Sequence, residues 1–387
     1  MEPKMKLDPV QEAMLRGEAG EGVAMAMKTL VSYGEAFGAA RLLPIKSAHL
    51  SGTFGALTYK AYYLILERLV KAGAKVKVKT TCNPTSGHDL NFLNRHLTFS
   101  RQEELDGRLA ALGVTPNYSC VCYEGANVPE KGDVLAWAES SAVQFANSAI
   151  GARTNRNSIL TDICSAITGY TPEFGYLLDE NRRARLLVKL DVKKMDPPAL
   201  GFLLGQRVVN QVPVIEHYPF SRIELKNMGG AMAAAGAVAL FHVEGLTPEA
   251  PDLKTVCDGE PEKTITITQA DLDGLRANNI TPDLVVFGCP QMTYEEAKAT
   301  LELFGGKRSR VPAWFCMIPA DRERFIRDGL ADKAAAAGIT VQKLCPLAAL
   351  TVQLKRKTVL TPSGKLYYYL QGANYGNAED CLAACGV

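Results

Sequence analysis

The last third of the chain alternates short apolar runs with longer amphipathic ones, and this rhythm restricts the fold more than any other feature. D-L-V-V-F-G-C-P, V-P-A-W-F-C-M and I-T-V-Q-K-L-C-P read as buried strands, with helices predicted over Thr293–Leu303 and Asp321–Ala337 between them. Strands separated by helices call for crossover connections, which belong to parallel sheets covered on both faces. The expected fold class is α/β, with parallel or mixed sheets flanked by helices. Residues 281–387 are expected to form a C-terminal α/β domain carrying Cys289 and Cys345, and residues 1–280 to hold more than one α/β subdomain.

The earlier region supports the same class. Asp8 followed by Pro9 is an N-cap with proline at the first helical position, predicting a helix to Gly17. Further helices are predicted over Gly22–Gly34, Tyr59–Ala72, Arg101–Leu112 and Val134–Ala149, and across D-I-C-S-A-I-T-G. K-V-K-V-K-T-T alternates like a strand, and Asn117–Tyr123 reads as a short one.

With 387 residues and 47% hydrophobic content the chain has ample core. A formal charge of +2 makes no case for nucleic acid or a membrane as partner. The charged N-terminus lacks an apolar secretory segment, and the longest apolar stretch, about Ala231–Val243, is too short to span a bilayer. A cytoplasmic location is expected, and with it reduced thiols for the ten cysteines.

Three of those cysteines stand at turn-like positions: Cys120 in N-Y-S-C-V-C-Y, Cys289 in F-G-C-P and Cys345 in K-L-C-P. Strand exits are where α/β proteins place their chemistry. Three thiolates can hold an iron–sulfur cluster and leave one iron open as a Lewis acid, although thiolates also accept zinc. Four polar loops accompany them. Ser47, His49 and Ser51 alternate in K-S-A-H-L-S-G; Thr81, Asn83 and His88 lie in T-T-C-N-P-T-S-G-H-D; Glu139 and Ser140 interrupt an apolar run; and Asn147, Arg153, Thr154, Asn155 and Arg156 crowd N-S-A-I-G-A-R-T-N-R. Ser47, His49, Glu139 and Ser140 are the candidates for catalysis, with a helix cap as the alternative for Glu139. Ser51, Thr81, Asn83, Asn147, Arg153, Thr154 and Asn155 are the candidates for binding a small anionic hydroxy acid, with arginine as the forked donor to its carboxylate. Together these groups suit removal of water, with a base taking the proton next to the departing hydroxyl.

The loops S-A-H-L-S-G, T-T-C-N-P-T-S-G-H-D, W-A-E-S-S-A-V, G-A-R-T-N-R, F-H-V-E-G-L-T-P-E-A and V-F-G-C-P resemble the large subunit, or catalytic domain, of the aconitase X family over nearly the whole chain. The resemblance implies an aconitase-like multi-domain fold, with residues 1–280 as the catalytic core and without the small swivel domain. It implies an iron–sulfur cluster, [4Fe-4S] favoured over [3Fe-4S] or [2Fe-2S], on Cys120, Cys289 and Cys345 as metal ligands. Cys122, where the family more often has proline, is the rival for the first place. It further implies a separate swivel-domain subunit carrying a catalytic serine.

Two dehydratase types are at hand. D-I-C-S-A-I-T-G is similar to the cis-3-hydroxy-L-proline type, which is the favoured substrate, whereas N-P-T-S-G-H-D is similar to the archaeal mevalonate 5-phosphate type; the insertion-like F-G-A-L-T-Y fits neither. An aconitase-type isomerase and a non-enzymatic, cluster-bearing regulatory or RNA-binding protein are the remaining alternatives.

Overall fold

A computed structural model describes residues 5–51, 60–83, 102–209, 211–277, 280–343, 345–347 and 357–387. His88 and the F-G-A-L-T-Y run lie outside the described residues. The chain divides into two compact units, one made of residues 1–118 and 122–182, the other of 119–121 and 183–387.

In the first unit, β1 (Leu42–Pro44) pairs antiparallel with β6 (Tyr170–Pro172). The main sheet is parallel throughout, in the order β4 (Thr115–Pro116), β3 (Lys79–Asn83), β2 (Ser47–Ser51), β5 (Leu135–Trp137). The helix Pro9–Arg16 begins with the expected cap: Asp8 accepts from the Gln11 N–H at 2.8 Å, and the Gln11 side chain accepts from the Asp8 N–H at 3.1 Å. Helices Glu21–Ala36, Lys60–Lys71, Gln102–Leu112 and Ile159–Thr168 send Met27, Leu30, Leu66, Leu105, Leu112 and Ile163 into one core with Leu50 and Cys82 of the sheet.

Before residue 183, three elements differ from expectation. The strand predicted from Lys75 starts at Lys79 and runs on to Asn83. Strict alternation suits a strand with one wet face, but β3 lies between two neighbours and is buried along Thr80–Asn83. Val76 and Lys77 instead donate singly to the Leu112 and Ala166 carbonyls, both at 2.8 Å. The helix predicted over Val134–Ala149 is a strand, β5, then a helix only from Ser140 to Phe145, continued as one π-helical turn over Ala146–Ile150. A short apolar run does not distinguish strand from buried helix. Asn117–Tyr123 is a loop after β4 rather than a strand, with Tyr118 in the left-handed region at φ 50°.

The second unit holds two parallel sheets. One has the order β10 (Lys263–Thr268), β7 (Leu186–Asp191), β8 (Pro213–Ile215), β9 (His242–Val243). Helices Pro197–Val208 and Arg222–Gly236 pack backbone to backbone here: a Cβ on Gly201 would meet the Met228 carbonyl oxygen at 2.1 Å, and one on Gly236 the Gly205 oxygen at 1.8 Å. That contact explains the Gly/Ala-rich composition of the stretch. The other sheet has the order β13 (Ile339–Gln342), β12 (Ala313–Met317), β11 (Leu284–Met292), β14 (Val359–Thr361), β15 (Ala373–Tyr375). Its core joins Phe287, Phe304, Phe315 and Phe325. Thr293 caps the helix Tyr294–Leu303 with Glu296 at the third position, as expected. The predicted helix over Asp321–Ala337 is two, Pro319–Arg327 and Leu330–Ala336, separated by Gly329 at φ 70°. Among the described residues no helix is long and apolar enough to cross a membrane.

Candidate active site

In the first unit the parallel register sets His49 beside Thr81 on one side and Trp137 on the other. His49 is fully buried, and its Nδ1 lies 2.8 Å from Thr81 Oγ1. The Thr81 hydroxyl also accepts from Asn127 Nδ2 at 3.1 Å, and the same amide donates to the Ala48 carbonyl at 3.0 Å. Trp137 Nε1 donates to Ser47 Oγ at 3.3 Å. Ser47, His49, Thr81 and Trp137 therefore form one buried row across three strands. Ser51 and Asn83 pair in register at the carboxyl ends of β2 and β3, the edge where open parallel sheets bind ligands.

Glu139 sits at the cap of the helix Ser140–Phe145. Its Oε2 accepts from the Ala142 N–H at 2.7 Å and its Oε1 from Ser141 Oγ at 3.2 Å. This is the cap alternative: the carboxylate satisfies a first-turn N–H that has no partner within the helix. Ser140 is buried in the first turn of that helix.

The G-A-R-T-N-R run lies alongside β5, with bridges from Val134 to Arg153 and from Trp137 to Arg156. Its polar side chains are tied to their own surroundings. Asn147 Nδ2 donates to the Thr154 carbonyl at 2.9 Å and Asn147 Oδ1 accepts from the Thr154 N–H at 3.0 Å. Asn155 bonds the Phe174 carbonyl and the Tyr176 N–H at 2.9 and 2.8 Å. Arg153 donates to the Leu177 carbonyl at 3.2 Å and pairs with Asp179 at 2.5 Å.

Sequence reasoning passed over the residue that organises this loop. Arg182, buried, donates to the Asn147 side-chain and main-chain oxygens at 3.2 and 3.1 Å, and to the Ala152 and Tyr176 carbonyls at 3.1 and 3.0 Å. Its sequence neighbourhood, D-E-N-R-R-A-R, looks like a solvated charged turn, so nothing local marks it.

The three candidate metal ligands fall in the second unit, because Cys120 lies in the 119–121 segment that belongs there. Cys122, fully buried, belongs to the first unit. β11 loses regular register with β12 between Phe287 and Met292, and Cys289 stands in that irregular stretch. Gly288 makes it possible: at φ 100°, a Cβ there would meet the Cys316 carbonyl oxygen at 2.4 Å. The Cys289 carbonyl accepts from Ser363 Oγ, which also caps the helix Gly364–Tyr369.

Gln291, another residue without a sequence signal, links two of the thiol loops. Its main-chain N–H donates to Cys120 Sγ at 3.3 Å, and its Oε1 accepts from the Cys120 N–H at 3.2 Å. Its Nε2 donates to the Lys343 carbonyl at 3.3 Å, two residues before Cys345. Buried Lys226 donates to the Gln291 carbonyl at 2.9 Å and pairs with Glu296. Cys316, on β12, is a fourth thiol nearby: burial pushes it up, and Cys345 and Cys120 add to the effect.

Among the described residues no group of three His, Cys, Asp or Glu side chains is drawn together to hold a single metal ion. A cluster takes its thiolates on separate irons. The donor set, three soft thiols of one unit with a main-chain N–H on one of them, fits that kind of centre. A cavity of about 470 Å³ in the same unit has Cys289, Asp196, Arg276 and Ser363 on its walls.

Comparison with known proteins covers the chain almost end to end. The family profile for the aconitase X first domain matches residues 4–180, that for the second domain 184–277 and that for the third 282–386. The phosphomevalonate dehydratase large subunit of Thermococcus kodakarensis is 38% identical over 80% of this chain and 80% of its own length. That of Methanothermobacter thermautotrophicus is 36% identical over 95% of this chain and 94% of its own length. The cis-3-hydroxy-L-proline dehydratase of Pseudomonas aeruginosa is 32% identical over 95% of this chain and 67% of its own length. The crystal structure of Thermococcus kodakaraensis aconitase X in its holo-form superimposes with a TM-score of 0.87 at 33% identity, covering 97% of this chain and 98% of that one.

Proposed function

This chain belongs to the aconitase X family, and from that premise we propose that it is the large subunit of a dehydratase acting on phosphomevalonate, a hydroxy acid carrying a phosphate. The observation that carries the substrate is the higher identity to phosphomevalonate dehydratase large subunits, 38% and 36%, than to a cis-3-hydroxy-L-proline dehydratase, 32%. The D-I-C-S-A-I-T-G segment favoured hydroxyproline, but one helix of the first unit, Ile159–Thr168 with its buried residues, weighs less than similarity along the chain.

The reaction breaks a C–H bond next to the carboxylate, uses that pair to form a double bond, and releases the hydroxyl of the adjoining carbon as water. Cys120, Cys289 and Cys345 would hold an iron–sulfur cluster, which when bound would supply Lewis acidity for loss of the hydroxyl. The Gln291 N–H favours the thiolate at Cys120, since a hydrogen bond to the charged form stabilises it. Ser51 and Asn83 present polar groups at the carboxyl ends of β2 and β3, where they suit substrate oxygens. His49, behind them in the sheet with Ser47 and Thr81, relays or holds a proton. Glu139 and Ser140 shape the helix start, and Asn147, Thr154 and Asn155 hold the loop that carries Arg153. A small subunit completes the enzyme and brings the residue that takes the proton.

The test is anaerobic purification of the chain alone and with a co-expressed small subunit. Each preparation is incubated separately with phosphomevalonate and with cis-3-hydroxy-L-proline, and mass spectrometry follows loss of water. Dehydration of phosphomevalonate by the pair is the expected result. Turnover of hydroxyproline alone overturns the substrate, recovery of a hydroxylated isomer points to an isomerase, and inactivity of a cluster-loaded pair on both overturns the dehydratase reading.

A further inference from the structure

We propose that Gln291 is a positioning residue for the cluster, holding the Cys120 loop and the loop that leads to Cys345 against β11 beside Cys289. The inference rests on the reading of these cysteines as cluster ligands.

The four polar groups of Gln291 bond three residues. The N–H donates to the Cys120 sulfur at 3.3 Å, the side-chain oxygen accepts from the Cys120 N–H at 3.2 Å, the side-chain nitrogen donates to the Lys343 carbonyl at 3.3 Å, and the main-chain carbonyl accepts from Lys226 at 2.9 Å. One buried amide thus ties together segments 171 and 52 residues away in sequence. Loops are the least constrained part of a fold, and a cluster needs its thiolates preplaced. Gln291 stands two residues after Cys289 on β11, so one short stretch of that strand both carries a ligand and arranges the other two.

The hydrogen bonds also have an electrostatic effect. Donors to cluster sulfurs stabilise the more reduced state and raise the potential. A negative charge at the same place does the opposite.

The experiment compares wild type, Gln291→Leu and Gln291→Glu in three measurements. The first is the rate at which an alkylating reagent modifies Cys120 in the metal-free chain, read by peptide mass spectrometry. The second is the rate of iron loss to a chelator after anaerobic reconstitution. The third is the reduction potential. Leucine removes both side-chain bonds, and it is expected to speed both Cys120 modification and iron loss by about tenfold, the low end of what loss of a supporting partner costs a metal site. Glutamate keeps the acceptor for the Cys120 N–H but loses the donor to the Lys343 carbonyl, so its iron loss is expected between those of wild type and the leucine variant, and its charge moves the potential to more negative values. Unchanged rates in the leucine variant together with an unchanged potential in the glutamate variant overturn the proposal. If the leucine variant does not fold, as judged by its far-ultraviolet spectrum, the potential of the glutamate variant decides. If wild type takes up no iron, the ligand reading fails, while the alkylation rates still decide whether Gln291 positions Cys120.

Discussion

His49 Nδ1 and Thr81 Oγ1 lie 2.8 Å apart across neighbouring parallel strands, both side chains buried. With Asn127 Nδ2 donating to the Thr81 oxygen at 3.1 Å, the prediction is that the threonine proton goes to Nδ1 and that the ring proton sits on Nε2. Thr81→Val keeps the shape and removes that proton. The expected outcome is a drop in kcat of about 10²-fold, the lower end for misplacing a proton-transfer group, with KM little changed. Nitrogen-15 NMR of labelled histidine should show Nε2 protonated in wild type and a mixture in the variant. An unchanged kcat would remove His49 from proton handling.

Arg182 and Arg153 separate two roles that look alike in sequence. Arg182 is buried against four oxygens, whereas Arg153 is partly exposed and pairs with the exposed Asp179. Arg182→Lys loses the planar fork and is expected to cost about 3 kcal/mol, the range of hydrogen bonds from a charged donor. Arg153→Lys is expected to cost less than about 1 kcal/mol. Urea melts of the two variants check the difference, and a KM increase confined to Arg153→Lys would restore that residue to the substrate.

Asp162, buried in the helix Ile159–Thr168, has its carboxyl raised well above the ordinary value of 3.8 by desolvation, opposed in part by the Asn157 side chain at 2.9 Å. Its second oxygen and the Asn157 side-chain oxygen are both buried without a hydrogen-bond partner. A raised folded pKa means that this group's contribution is fully present below the unfolded carboxyl pKa and is lost as pH rises through the folded one. Asp162→Asn keeps the shape, carries its own N–H donors and does not ionise. Its melting temperature relative to wild type is therefore expected to climb from pH 4 to pH 8. A constant difference across that range would show that Asp162 is ionised in the fold.

Cys120 and Cys122 are two residues apart yet belong to different units. Cys120→Ala, Cys289→Ala and Cys345→Ala are each expected to lose most iron after anaerobic reconstitution, and Cys122→Ala to retain it. Iron and sulfide assays decide, and loss in Cys122→Ala with retention in Cys120→Ala would reverse the assignment of the first ligand.

Much of the fold could be read locally. The Asp8 and Thr293 caps, the strand and helix rhythm after residue 281 and the buried run of β11 are short-range signals, set by side chains a few residues apart. The errors came where a local pattern had two solutions. Val134–Trp137 is apolar enough for helix or strand, and only pairing with β2 makes it a strand. Lys75–Lys79 alternates like an edge strand, and the chain uses the more buried Thr80–Asn83 because β3 has a neighbour on each side.

By itself the sequence determined an α/β chain of the aconitase X type, and it singled out the cysteines and the polar loops. The tertiary structure alone decided which partners these groups bond. Glu139 is engaged as a cap, Asn147, Thr154 and Asn155 bond their own loop, and Arg182 and Gln291 each bond groups of several distant residues. The physical reason is range. A buried polar group must find a partner wherever the fold provides one, and for Gln291 that partner is 171 residues away at Cys120, a distance over which no periodicity or spacing carries information.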